Sequence, residues 1–131
     1  MTFATRAASR LIALAAALFA GGSALAAPPI MVSVDGGGAL AGPSGMTLYT
    51  YDKDATGSGK SACNGSCASS WPPLFASGSD ASSGDYSIVT RDDGKRQWAY
   101  RGKPLYYWSK DAKPGDMSGD GMLGAWHTAK P

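Results

Sequence analysis

The feature that most constrains this chain is that it repeats itself. The run Gly45-Met46-Thr47-Leu48-Tyr49-Thr50-Tyr51-Asp52-Lys53-Asp54 returns as Gly102-Lys103-Pro104-Leu105-Tyr106-Tyr107-Trp108-Ser109-Lys110-Asp111, with Gly, Leu, Tyr, a second aromatic, Lys and Asp at the same internal spacing. A Trp follows each copy, Trp71 after the first and Trp126 after the second. Repeats of this kind are supersecondary units that bury their apolar faces against one another. The pairs Leu48/Leu105, Tyr49/Tyr106 and Trp71/Trp126 are therefore expected to occupy matching places in one shared core.

The pattern inside each copy is that of a strand. Period two sets Met46, Leu48 and Thr50 on one face, and Thr47, Tyr49, Tyr51 and Lys53 on the other. Residues 86–91 alternate in the same way, Asp92-Asp93-Gly94-Lys95 is a hairpin turn, and residues 97–101 return as its partner. Short strands are also expected at 30–34, 105–109 and 122–128. Residues 55–70, 76–85 and 111–121 are small, polar and Gly-rich, with no helical period, although one helical turn fits near Cys67. The expected fold is mostly β: a small single domain of two pseudo-repeated strand-loop-Trp units with long Gly/Ser/Asp loops. The units span about 45–74 and 102–131 of a β-rich domain at 27–131.

Residues 1–26 are set apart as a signal peptide. Arg6 and Arg10 supply a positive start, residues 11–20 an apolar run, and Ala24-Leu25-Ala26 a small-residue cleavage site. The run is short for a membrane span, which needs about 20 residues. No Cys follows the cleavage site to carry a lipid, so no stable membrane anchor is expected and the product should be periplasmic or secreted. Cleavage removes two of the twelve Lys and Arg residues, leaving ten basic against ten acidic groups, every acid an Asp. That balance gives no electrostatic basis for binding nucleic acid.

Two constellations carry the candidate site residues. In the first, Tyr49 and Tyr51, and Tyr106 and Trp108, share strand faces, followed by Asp54 and Asp111 and by Trp71 and Trp126. These form either an aromatic platform for a flat or apolar ligand or a packed core, in which case the two Asp side chains would cap the turns after the strands. In the second, Cys63 and Cys67 are the only cysteines, and a disulfide is the default for an exported chain. Residues four apart on a regular helix hold their Cβ atoms about 5–6 Å apart, too far for a bridge. A tighter turn is needed, which Asn64-Gly65 supplies. The alternative is a copper site of Cys63, Cys67 and His127, since soft ligands suit Cu(I). Hydrolytic chemistry lacks a credible set: there is no Glu, one His and no Gly-x-Ser-x-Gly elbow. Residues 116–121 lack the ligand series of a calcium loop and read as a solvated turn.

The combined motifs match a known pattern. Residues 48–54, then Ser61, Cys63, Gly65, Cys67, Ala68 and Trp71-Pro72-Pro73-Leu74, resemble the bacterial secreted repeat of unknown function. Members of that family are often described as predicted lipoproteins with a Yx(FWY)xxD motif. The resemblance continues through Arg91, Asp93, Gly94, Gln97, Trp98, Tyr100, Gly102, Pro104-Leu105-Tyr106, Trp108, Asp111 and Pro114-Gly115-Asp116. It implies an envelope or periplasmic location and a tandem repeat, and it carries no activity with it. The lipid-attachment Cys of many such proteins is missing here, so tethering is not carried over. The functional expectation is a non-enzymatic binding or interaction module for an unknown envelope partner or small ligand, with no cofactor. The alternative is a copper-binding or thiol–disulfide redox protein using Cys63 and Cys67.

Overall fold

The computed structural model of the protein describes residues 31–32 and 38–131. The expected signal peptide, and most of the strand expected at 30–34, lie outside the described residues. Strands β1 (Met31–Val32) and β2 (Leu40–Ala41) pair antiparallel. Strand β3 (Tyr49–Tyr51) pairs antiparallel with β7 (Trp126–Thr128), setting Thr50 opposite His127. Strands β4 (Tyr86–Thr90), β5 (Arg96–Tyr100) and β6 (Lys103–Pro104) form an antiparallel meander. Asp93 caps the β4–β5 turn, its Oδ1 accepting the Lys95 N–H at 2.9 Å. The helical content of the described residues is one short helix, α1 (Ser66–Ser70), and one 3-10 turn at Met122–Gly124.

The two copies are related by a matched set of backbone hydrogen bonds. Leu40 N–H donates to the Ala129 carbonyl at 2.8 Å, and Trp98 N–H to that of Leu74 at 2.9 Å. Leu48 donates to Leu40 at 2.9 Å, and Leu105 to Trp98 at 3.0 Å. Ala129 donates to Leu48 at 2.8 Å, and Leu74 to Leu105 at 2.9 Å. At the centre Tyr49 and Tyr106 exchange both of their backbone bonds, at 2.7 and 3.0 Å. Each Trp-bearing segment therefore lies along the other copy: residues 71–74 follow the first copy and pair with the second, and residues 126–129 do the reverse.

That exchange explains why the repeat strands are shorter than alternation suggests. Strands were expected over 46–52 and 105–109, whereas the ladders cover Tyr49–Tyr51 and Lys103–Pro104. Successive N–H groups of Leu105, Tyr106 and Tyr107 donate to Trp98, Tyr49 and Pro72 in turn. A segment that changes partner at each residue is fully hydrogen-bonded without forming a continuous ladder.

Alternation does sort the side chains, and in doing so it divides the core in two. Leu48 and Leu105 pack with Leu40, Leu74, Trp98 and Ala129. Tyr49 and Tyr106 pack on the opposite side with Trp71, Trp126, Trp108 and Cys63. The three residue pairs thus stay matched but occupy two clusters, not the single core expected. Adjacent residues on opposite faces of each repeat strand, Leu48 and Tyr49, and Leu105 and Tyr106, are therefore both fully buried.

Candidate functional site

The repeat aromatics pack on one another. Tyr51, Trp126, Trp71 and Trp108 form a four-ring column with centroid spacings of 4.2, 3.8 and 4.0 Å. Trp71 and Trp126 are parallel within 2° at its centre. Tyr49 meets Trp71 edge-on and Tyr106 meets Trp126 edge-on, the arrangement that ring quadrupoles favour. Gly119 is required beside the column, because a Cβ there would lie 2.7 Å from Trp71 and 3.0 Å from Trp108. The facing sides of the four rings are thus taken by one another, and Tyr49, Trp71, Tyr106, Trp108 and Trp126 are all buried, with Tyr51 at the end of the column half-buried.

The two aspartates each accept a backbone N–H of the loop that follows their strand, and each also makes a bond that the sequence did not suggest. Tyr106 donates its hydroxyl to Asp54 Oδ2, and Tyr49 donates to Asp111 Oδ2, each at 2.6 Å. Each Tyr thus reaches the Asp of the opposite copy, a pairing that local sequence does not encode. Asp54 Oδ1 also accepts the Ala62 N–H at 2.6 Å, while Asp111 Oδ1 accepts from Ser118 N–H and Oγ at 3.1 and 2.6 Å. Burial pushes the Asp54 carboxyl above its ordinary range, against the hydrogen bonds from Tyr106 and Ala62 and the Arg91 charge. Burial, reinforced by the aspartate each one meets, raises both tyrosine hydroxyls well above the ordinary value.

Arg91 extends this network, and it was not singled out as a site residue from the sequence. Its guanidinium is buried, donating to Ser61 Oγ at 2.9 Å, Gln97 Oε1 at 2.8 Å and the Cys63 carbonyl at 2.6 Å. Ser61 Oγ in turn lies 2.6 Å from the Tyr106 hydroxyl, and Gln97 Nε2 donates to the Leu105 carbonyl at 2.7 Å. An Arg beside a hairpin turn ordinarily reads as solvated; its place in the repeat motif was the one available signal.

Cys63 and Cys67 are joined in a disulfide, with Cα atoms 5.2 Å apart. Cys67 lies in α1, whereas Cys63 precedes it, and Gly65 takes a positive φ of 58° between them. This is the tighter turn that the spacing demands. His127 faces away from the aromatic core and places Nε2 2.8 Å from Asp52 Oδ2, the ring nitrogen donating to the carboxylate. Among the described residues no group of three or more His, Cys, Asp or Glu is placed to hold a metal ion. Asp116 and Asp120, in the loop that faintly resembles a cation site, accept backbone N–H groups of Ala112, Lys113 and Thr128.

The His127–Asp52 pair lies in a surface cleft of about 340 Å³. Its lining comes from three separated stretches: Thr50 and Asp52 on β3 and just beyond, Tyr100, Arg101 and Lys103 on the β5–β6 hairpin, and residues 127–130 on and after β7. Thr50 and His127 share the outward side because their ladder neighbours Tyr51 and Trp126 turn inward to the column. The hairpin tip is a two-residue turn with Arg101 at φ 48° and Gly102 at φ 81°. A left-handed conformation costs a residue with a Cβ about 1–2 kcal/mol, so Arg101 is a strained choice for that position. The cleft brings a carboxylate-held imidazole together with cationic side chains, groups able to hold a polar ligand in a fixed orientation.

Two exchanging repeats, an aromatic column between them and one polar cleft at their junction define a tandem-repeat β module. The chain matches the profile of the secreted repeat of unknown function twice, over residues 31–75 and 87–130, and belongs to that family. The family is described as secreted, and no helix among the described residues is long and apolar enough to cross a membrane. No curated protein and no solved structure matches the chain.

Proposed function

We propose that this is an exported, non-enzymatic binding module of the cell envelope. On this reading, residues 1–26 are a cleaved signal peptide, the domain works in the periplasm, and its ligand sits in the cleft of Thr50, Asp52, Tyr100, Arg101, Lys103 and His127. The observation that supports it is the separation of duties within the repeat. The recurring aromatics and aspartates are spent on joining the two copies, while Asp52, Arg101, Lys103 and His127, from three separated stretches, converge on one concave surface. A volume of about 340 Å³ falls at the small end of the range for small-molecule sites. The groups lining it fix orientation, and none is an activated nucleophile.

The test is a small-fragment screen observed through backbone amide shifts of the labelled protein. Hits should first move the amides of Thr50, Asp52, Lys103 and His127. Hits confined to another surface, or conversion of a fragment into a new product, would overturn the reading.

A further inference from the structure

Taken as a binding site, the cleft has a definite charge. Among the described residues Arg101 and Lys103 line it with one carboxylate, Asp52, which already accepts the His127 ring N–H at 2.8 Å. We infer that its ligand is a small organic anion, held through a carboxylate or phosphate group by Arg101 and Lys103. This rests on the cleft being the binding site.

The state of those two cations carries the inference. Among the described residues Lys103 Nζ has no ion pair or hydrogen bond, so its charge faces the cleft without a protein partner. The Arg101 guanidinium stands over the Tyr100 ring at 5.0 Å and is ion-paired through Nε with the exposed Asp85 carboxylate at 3.6 Å, while among the described residues its two Nη groups make no hydrogen bond. Its two Nη groups, suited to two-point contact with a carboxylate or phosphate, are therefore available.

The backbone supplies an independent reason. A two-residue hairpin turn with both residues left-handed favours Asn, Asp or Gly at its first position. Arg101 occupies that position at φ 48°, ahead of Gly102 at φ 81°. Within the fold the Arg101 side chain contacts the exposed Asp85 carboxylate and the Tyr100 ring, and the turn's backbone preference gives no reason for an Arg there. A requirement for a guanidinium at the cleft does, because the turn mounts it one residue from Gly102 and two from Lys103, which is paired with Tyr100 in the ladder. Both cations thus sit on one short, hydrogen-bonded tip.

The experiment titrates the labelled, oxidised protein at low ionic strength with three probes: inorganic phosphate, succinate and succinamide, the neutral isostere of succinate. Phosphate or succinate should produce saturable shifts at Gly102, Lys103 and His127, and succinamide none. The tighter of the two anions tells a phosphate ligand from a carboxylate one. Arg101→Asn keeps a residue that tolerates the turn, and should weaken binding roughly fivefold or more. Lys103→Ala should do the same, and about 150 mM salt should weaken the wild type. Lys113→Ala, in an exposed loop, should change nothing. Equal binding of succinamide would sink the anion inference and leave the cleft standing as a site. Silence from all three probes, together with fragment hits elsewhere, would remove both. Shifts spread equally over Lys60 and Lys113 would mean charge screening only, and would also overturn the inference.

Discussion

Replacing Tyr106 by Phe removes one oxygen and keeps the ring that meets Trp126 edge-on. That oxygen donates to Asp54 Oδ2 and touches Ser61 Oγ, both at 2.6 Å, at a position with 0% exposure. A hydrogen bond to a charged group contributes about 1.5–3 kcal/mol, and leaving a buried partner short of a donor adds to the loss. Asp54 keeps only the Ala62 N–H among its direct donors. The expected cost of Tyr106→Phe is therefore about 3 kcal/mol, a large share of the roughly 5–15 kcal/mol that holds a domain folded. Tyr49→Phe, its counterpart, should cost only about 1.5 kcal/mol, because Asp111 is part-exposed and keeps both the N–H and the hydroxyl of Ser118, and the Gly119 N–H that also loses its acceptor makes only a long bond of 3.3 Å. Urea unfolding with the disulfide intact, followed by Trp fluorescence and circular dichroism, measures both. The midpoint should fall by about 2 M for Tyr106→Phe and about half that for Tyr49→Phe. A loss at Tyr106 equal to or smaller than that at Tyr49 would refute the account of Asp54 as the more dependent partner.

Three further outcomes are expected. Gly119→Ala should destabilise by about 2 kcal/mol, because its Cβ must push Trp71 or Trp108 out of the column; an unchanged midpoint with unchanged near-UV dichroism would contradict that. The raised Asp54 carboxyl means that its stabilising, protonated form is complete below the unfolded value near 3.9 and is lost as pH rises through the folded pKa. Asp54→Asn should therefore gain on the wild type as pH rises from the unfolded value through the raised folded one, and a gap that is flat or widens toward acid would show the sign to be wrong. Reducing Cys63–Cys67 should cost only about 2 kcal/mol, since the closed loop is short, and should leave a folded protein whose denatured form shows two thiols. Global unfolding on reduction at room temperature would show the bridge to be worth more than loop entropy.

What could be read in advance was local. The duplication, the strands around Tyr49 and Val89, the tight Cys63–Cys67 turn and the matched Leu, Tyr and Trp pairs all follow from short-range spacing. Alternation separates Leu48 from Tyr49 correctly, but says nothing of whether each face meets solvent or protein. Which Trp segment pairs with which copy was not legible, because two similar units offer each strand two nearly identical partners. The second bond of each Asp was missed for the same reason: Asp54 holds its following loop but also satisfies a Tyr 52 residues away, and no local turn chemistry signals that. The cleft was invisible because Asp52 and Arg101 carry no signal of their own, His127 was read only as a candidate copper ligand, and the three, distant in sequence, meet only once β3 lies beside β7 and the β5–β6 hairpin comes alongside.

The crossed placement of the Trp segments makes a single copy of the repeat half of a symmetric object. Two such copies on separate chains would satisfy one another through the same bonds, as an isologous pair meeting on the Trp71–Trp126 stack. Joining them in one chain replaces association with a tether, and releases each copy from having to serve both roles. The results are visible on the two outer surfaces. Where one half presents Thr50, Asp52 and His127, the other has Tyr107, Ser109 and Pro72, with the Tyr107 N–H bonded to the Pro72 carbonyl at 2.7 Å. A strict dimer would carry two equivalent clefts or none; the tandem chain gives its pseudo-symmetric scaffold a front and a back.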